Sequence, residues 1–215
     1  SNPPALEVRD LSFRYQRGSA ELFDGLSHRF ATASITAITG ASGRGKSTLL
    51  YLVGLLLKLR SGEILVDGTR VDQLPDREKS RLRSSAFGFV FQDAVLDPTR
   101  PVVDGVCEPL TYRHNALRTV RPQAHELLRM LGVAERATQL PGRVSGGQAQ
   151  RVAIARALIT EPQVILADEP TGNLDQDNTA GVLAALRTAA QRGTTVLVAT
   201  HDPEVVAWAD EVLRL

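Results

Sequence analysis

Cysteine is nearly missing from this chain: Cys107 is the only one in 215 residues. A single thiol excludes an internal disulfide framework and any cysteine-rich metal cluster, and it fits a reducing compartment. Excess charge is missing too, since 25 Lys and Arg against 24 Asp and Glu leave a net charge of +1. That balance gives no support to an electrostatically driven nucleic-acid binder. Long hydrophobic runs are absent. The most apolar one, Leu49 to Leu57, stops at Lys58, whereas a membrane-spanning helix needs about 20 residues. No secretory pattern opens the chain. Its only methionine is Met130, so Ser1-Asn2 reads as a cloning remnant outside the fold. The remainder is ordinary globular composition, 43% hydrophobic and 23% charged, which excludes wholesale disorder. The length suits one well-buried domain.

Short apolar runs alternate with helical patterns. Ser34–Thr39, Phe87–Phe91, Val164–Ala167 and Thr195–Ala199 are β-branched or aromatic and bounded by polar or turn residues. Runs of this kind suit strands buried on both faces of a parallel sheet. Between them, Pro122 followed by Leu127, Leu128, Leu131 and Gly132 reads as an amphipathic helix with proline at its first position. Val182, Leu183, Leu186 and Ala190 form a second stripe, closed by Gly193. This alternation predicts an α/β fold. Two stretches depart from it. Leu6–Phe13 together with Gly62–Val71, which contains the Asp67-Gly68 turn signal, predicts a small antiparallel sheet beside the parallel one. Asp93–Arg121, rich in Pro, Asp and Arg, reads as an irregular or partly helical insertion.

Gly40-Ala-Ser42-Gly43-Arg44-Gly45-Lys46-Ser47 matches the phosphate-loop pattern G-x-x-x-x-G-K-[ST], with a strand before it and a helix from Thr48 after it. Glycines let backbone N–H groups curl around phosphate oxygens, and the helix start adds partial positive charge. Lys46 is suited to the β- and γ-phosphates, and the Ser47 hydroxyl to Mg²⁺. Arg44 adds a second positive charge, directed at phosphate or at solvent. A metal-orienting carboxylate is expected at the end of a buried strand, and Val164–Asp168 supplies one. The next residue, Glu169, alternates away along the strand and is free to accept a proton from an attacking water. These residues predict hydrolysis of a nucleoside triphosphate.

Ser145-Gly146-Gly147-Gln148 opens another helical pattern through Val152, Ala155 and Leu158. A serine and two glycines at a helix start suit an anion, and a second cradle in one chain makes sense if it completes the site of another copy. A serine N-cap with flexible glycines accounts for the same residues.

Taken together, these motifs resemble the nucleotide-binding domain of ABC transporters over nearly the whole chain. Gly40–Thr48 resembles the family's phosphate loop, Ser145–Gln148 its signature, and Val164–Glu169 its metal strand with the catalytic glutamate. Asn173-Leu174-Asp175 is similar to the loop that crosses the dimer interface, and His201 to the switch histidine. Gln92 is similar to the glutamine linking the γ-phosphate site to the membrane partner, and Tyr15 to the aromatic that stacks on adenine. The resemblance implies a phosphate-loop NTPase with a RecA-like parallel core, a small antiparallel β subdomain and a helical subdomain over about 93–160, all in one domain spanning 1–215. It implies ATP and Mg²⁺ as ligands, with Ser47, Gln92 and Asp168 toward the metal and Glu169, Gln92 and His201 in catalysis. It also implies a sandwich of two copies around two ATP, a separate transmembrane permease, no nucleic-acid partner, and a peripheral place on the cytoplasmic face of a bacterial inner membrane.

Within the family, Glu169–Asp175 and Glu108–Arg113 look most like the bacterial group serving lipoprotein release, macrolide efflux and cell division, although Asp93–Val106 departs from that group's usual wording. The alternatives are an importer ATPase, a soluble ABC ATPase of repair or translation, and a regulatory module that holds nucleotide without turnover. No long coiled coil separates the phosphate loop from the signature, the motifs are not duplicated, and Glu169 and His201 are intact. Relatives usually continue past a segment like Glu211–Leu215 into one more strand, so the chain reads as trimmed there.

Overall fold

The computed structural model describes residues 4–41, 45–114 and 117–215, and of residues 112–114 the backbone alone. Two sheets share the chain. The first is antiparallel, with β1 (Leu6–Phe13) between β2 (Leu22–Phe30) and β4 (Ser61–Val66), and β5 (Thr69–Arg70) beside β4. Asp67 and Gly68 join β4 to β5 with φ of 48° and 76°, the double positive φ that a two-residue type I′ hairpin requires.

The second sheet is parallel. It runs β6 (Phe87–Val90), β7 (Val164–Asp168), β8 (Thr195–Ala199), β3 (Ile35–Thr39), β9 (Glu211–Arg214). Its central strands are buried along almost their whole length, as expected where helices cover both faces. One face packs on α1 (Lys46–Val53) and the antiparallel sheet, in a core built around Phe30, Leu49, Leu52 and Leu166. The other packs on α6 (Gln176–Gln191) and on a layer of three helices, α3 (Val102–His114), α4 (Leu117–Met130) and α5 (Gly146–Leu158), around Val106, Leu128, Ile154 and Leu186. Cys107 lies in this second core, fully buried. Burial, and then the charge of Asp104, push its thiol up to about 11, against a smaller opposing pull from Arg121.

The insertion expected over 93–121 is more regular than its composition suggested. Val102, Val103, Val106 and Cys107 repeat at helical spacing and are buried, and α3 continues through Pro109. Nor does Pro122 open its helix. It is the sixth residue of α4, and the ring removes one backbone donor there while the buried Val120, Ala124, Leu127 and Leu128 hold the turn against the core. The polar α2 (Asp76–Ala86), with only Ala86 buried, and the short α7 (Pro203–Trp208) complete the chain.

Candidate active site

The carboxyl ends of β3, β7 and β8 lie side by side, because Asp168 pairs in register with Ala199 and Ile38 with the same Ala199. Ligands bind at this edge in open α/β sheets. From β3 the chain passes through the glycine loop into α1, whose N-cap, Gly45, has φ 91° and no side chain to occupy the first-turn amides. A Cβ there would sit 3.1 Å from the side chains of Leu22 and Phe23. Lys46 Nζ donates to the Gly40 carbonyl at 2.9 Å, which brings the ammonium back to the end of β3. Ser42, Gly43 and Arg44, expected at the phosphates, lie outside the described residues.

Ser47 Oγ donates to Asp168 Oδ1 at 2.9 Å, and Tyr51 OH donates to Asp168 Oδ2 at 2.9 Å. Burial, with the hydrogen bond and charge of Asp168 and the nearby Tyr15, pushes the Tyr51 phenol up to about 12. It therefore remains a donor at neutral pH. A hydroxyl and a carboxylate this close are hard oxygen donors of the kind Mg²⁺ takes, in a mode that keeps several waters and uses the substrate's phosphates for the rest. No group of three or more His, Cys, Asp or Glu side chains able to hold a metal occurs among the described residues.

β7 ends at Asp168, and Glu169 leaves the strand in a left-handed conformation, φ 45°, with its N–H bonded to the Ala199 carbonyl. What turns the Glu169 side chain is this kink, and strand alternation has already stopped. A non-glycine residue held there carries about 1–3 kcal/mol of strain, a cost found mostly at functional sites. The Glu169 Oε1 lies 2.7 Å from His201 Nδ1. Its carboxylate is mostly buried whereas the histidine is mostly exposed, so the ring stands over the cleft and holds the acid beneath it.

Tyr15 is 55% exposed, packs edge-on against Phe13 and joins its hydroxyl to Thr48 Oγ1 at 2.5 Å. Tyr15, Gly45, Lys46, Ser47, Thr48, Glu169 and His201 thereby line one cleft of about 780 Å³, within the range of small-ligand and cofactor pockets. A second groove of about 840 Å³ lies between residues 55–62 and α2. Two of its cations are already engaged, Arg70 with Asp72 and Glu63 and Arg83 with the Leu55 carbonyl.

Gln92 follows β6 at the surface. Its side chain lies against Gly172, where a Cβ would come within 2.7 Å of Nε2, and among the described residues no hydrogen bond joins it to Ser47 or Asp168. Sequence reasoning missed its anchor: Gln150, 2% exposed on α5, donates from Nε2 to the carbonyls of Phe91 and Gln92. A polar residue at a buried helical position was the available signal.

The start of α5 is a full capping box. Ser145 Oγ accepts from the Gln148 N–H at 3.2 Å, and Gln148 Oε1 accepts from the Ser145 N–H at 3.0 Å. Within this chain the two glycines have a packing role. A Cβ on Gly147 would fall 2.1 Å from Asn178 Oδ1, and one on Gly146 would fall 3.3 Å from Leu174. Both glycines admit the segment that begins α6, where Asp175 is the N-cap and accepts from the Asn178 backbone and side-chain amides. None of Ser145, Gly146, Gly147 or Asp175 lines the cleft that holds Lys46.

Comparison with known proteins gives the same family. The profile described as ABC transporter matches residues 23–172. The chain is 43% identical over 215 residues to the lipoprotein-releasing system ATP-binding protein LolD of Bordetella pertussis, covering 99% of this chain and 93% of that protein. It is 41% identical to the macrolide export ATP-binding/permease protein MacB of Shigella flexneri, covering 99% of this chain but 33% of that longer protein. Its fold superposes on the dimeric, ADP- and Pi-bound ATP-binding cassette MJ0796 with a TM-score of 0.84 at 32% identity, covering 98% and 94% of the two chains. The α/β architecture, the glycine loop at the sheet edge and these likenesses agree: the chain belongs to the ABC transporter family, as one of its ATP-hydrolysing cassettes.

Proposed function

We propose that this cassette powers a membrane export or mechanical system of the lipoprotein-release and macrolide-export kind, working as a pair that closes around two ATP. The observation that supports the pair is the separation of the cleft from the start of α5: Lys46, Ser47, Glu169 and His201 share one cleft, whereas Ser145 and Gly146 are exposed elsewhere on the same chain. A facing copy offers its Ser145–Gly147 helix start and Asp175 loop to the open side of the nucleotide. In this reading residues 1–215 form one nucleotide-binding domain, with a helical subdomain over about 93–160. It sits on the cytoplasmic face of a bacterial inner membrane, against a separate permease.

Each residue then has a physical task. The first-turn amides of α1 and Lys46 hold the β- and γ-phosphates, Tyr15 stacks on the base, and Glu169 takes the proton of the attacking water while His201 holds that carboxylate in place. Ser47 would hold Mg²⁺ and Asp168 would orient it, with Gln92 reporting on it, and the ion would supply charge neutralisation at the phosphates. ATP favours closure because it binds the closed pair better than the open one, and loss of the γ-phosphate releases the halves. Glu169→Gln is expected to bind ATP, to accumulate as a dimer in light scattering with ATP and Mg²⁺, and to release almost no phosphate. A variant that stays monomeric at saturating ATP, or that turns over like wild type, sinks this reading.

A further inference from the structure

We propose that Tyr51 is a positioning residue for the metal end of the site: its hydroxyl holds the second oxygen of Asp168 and so fixes the carboxylate that orients the divalent cation. The inference rests on the reading of Ser47 and Asp168 as the Mg²⁺ pair. Tyr51 follows Ser47 by four residues on α1, which puts both side chains on one face, one turn apart. Each donates to a different oxygen of Asp168, both at 2.9 Å. The terminal torsion of an aspartate is broad and loosely set. Two donors from one rigid helix remove that freedom. A carboxylate has about four lone-pair positions, so these two bonds still leave acceptor capacity for water around a cation.

Packing does not explain the hydroxyl. The Tyr51 ring packs against the apolar core that includes Phe30, Leu49 and Leu166, where phenylalanine fills the same space. Among the described residues, the hydrogen-bond partner of the oxygen is Asp168. It reaches the end of β7, and Tyr51 is not one of the residues that line the cleft with Tyr15 and Thr48. Groups that hold a ligating carboxylate from behind are commonly worth about 10–100-fold in metal affinity.

The test uses the whole chain with Tyr51→Phe, which keeps the ring and removes the donor. Mn²⁺ binding is followed by electron paramagnetic resonance with a non-hydrolysable ATP analogue present, and nucleotide affinity is measured separately in EDTA. The Mn²⁺ dissociation constant is expected to rise about 10-fold while nucleotide affinity in EDTA stays within about twofold. Asp168→Asn serves as the reference. If Asp168→Asn weakens Mn²⁺ and Tyr51→Phe does not, the role of Tyr51 is overturned and the metal pair stands. If Asp168→Asn itself binds Mn²⁺ like wild type, the metal reading fails and the Tyr51 inference fails with it. A lower melting temperature for Tyr51→Phe with unchanged Mn²⁺ affinity also overturns the inference, because it leaves the hydroxyl a purely structural role.

Discussion

Single residues at the sheet edge do work that their identity alone does not announce. Glu169 sits in a left-handed turn with its carboxylate 2.7 Å from His201, so the acid is held in place by an imidazole and does not swing freely. Removing the ring by His201→Ala should lower the turnover number about 10²–10⁴-fold, the range for a mispositioned general base, while ATP binding to the isolated chain changes far less. Steady-state hydrolysis and equilibrium binding on the same preparation separate the two. A second residue ties the frame together. Asp210 accepts from the Ile35 amide, from Ser34 and from Arg187 of α6, and the Arg187 hydrogen bond above all holds its carboxyl below the ordinary carboxylate value. A lowered pKa contributes stability that is present above the unfolded value of about 3.9 and disappears as pH falls through the folded value beneath it. Asp210→Asn should therefore flatten the acid limb of a melting-temperature profile and lower its neutral plateau. A variant with the wild-type slope below pH ~4 would show that the contact is energetically idle.

At the scale of elements, the tightest fit is between α5 and α6. The start of one helix accepts the start of the other only because position 147 has no Cβ; even Asn178 Cβ lies 2.5 Å from where that atom would be, so a change of Asn178 rotamer gives no relief. Gly147→Ala should cost about 1–3 kcal/mol by overpacking, or about 2–12 °C in melting temperature for a chain of this size. Gly147→Ala with Asn178→Gly, which removes that Cβ, should recover part of the loss, and strictly additive melting shifts would rule out the clash. Much of this architecture was legible beforehand. Continuous β-branched runs identified the parallel strands, Asp67-Gly68 identified the hairpin, and the glycine loop between strand and helix identified the cleft. What escaped notice has physical reasons. β2 carries positive φ at Phe23, Asp24 and Gly25, which breaks its first half, and only Leu26, His28 and Phe30 alternate inward, so the period-2 signal is short. α2 buries almost nothing and so has no apolar stripe. α3 and the first turn of α4 hide behind interior prolines that the core-facing residues outvote. Tyr51 and Gln150 act through partners distant in sequence, Asp168 and the Gln92 segment, and their spacing becomes meaningful only after the chain has folded.

For the whole molecule, the cleft lies open on one side and, among the described residues, no helix is long and apolar enough to cross a membrane. The function proposed above has work on a bilayer pass through a separate permease. Purification from native membranes in mild detergent should bring down a partner with about four spans and a large external domain. Recovery with a solute-binding protein instead would favour import. The helical layer through which such a partner would be felt also contains the chain's single thiol, fully buried among α3, α4 and α5 with its pKa pushed up to about 11. Sealed and protonated, Cys107 is chemically silent while that layer stays closed, and it reacts only as fast as the layer breathes. The native chain thus carries its own stopwatch: the rate at which a thiol reagent consumes Cys107, with and without nucleotide, times the opening of the helices without a label or a mutation.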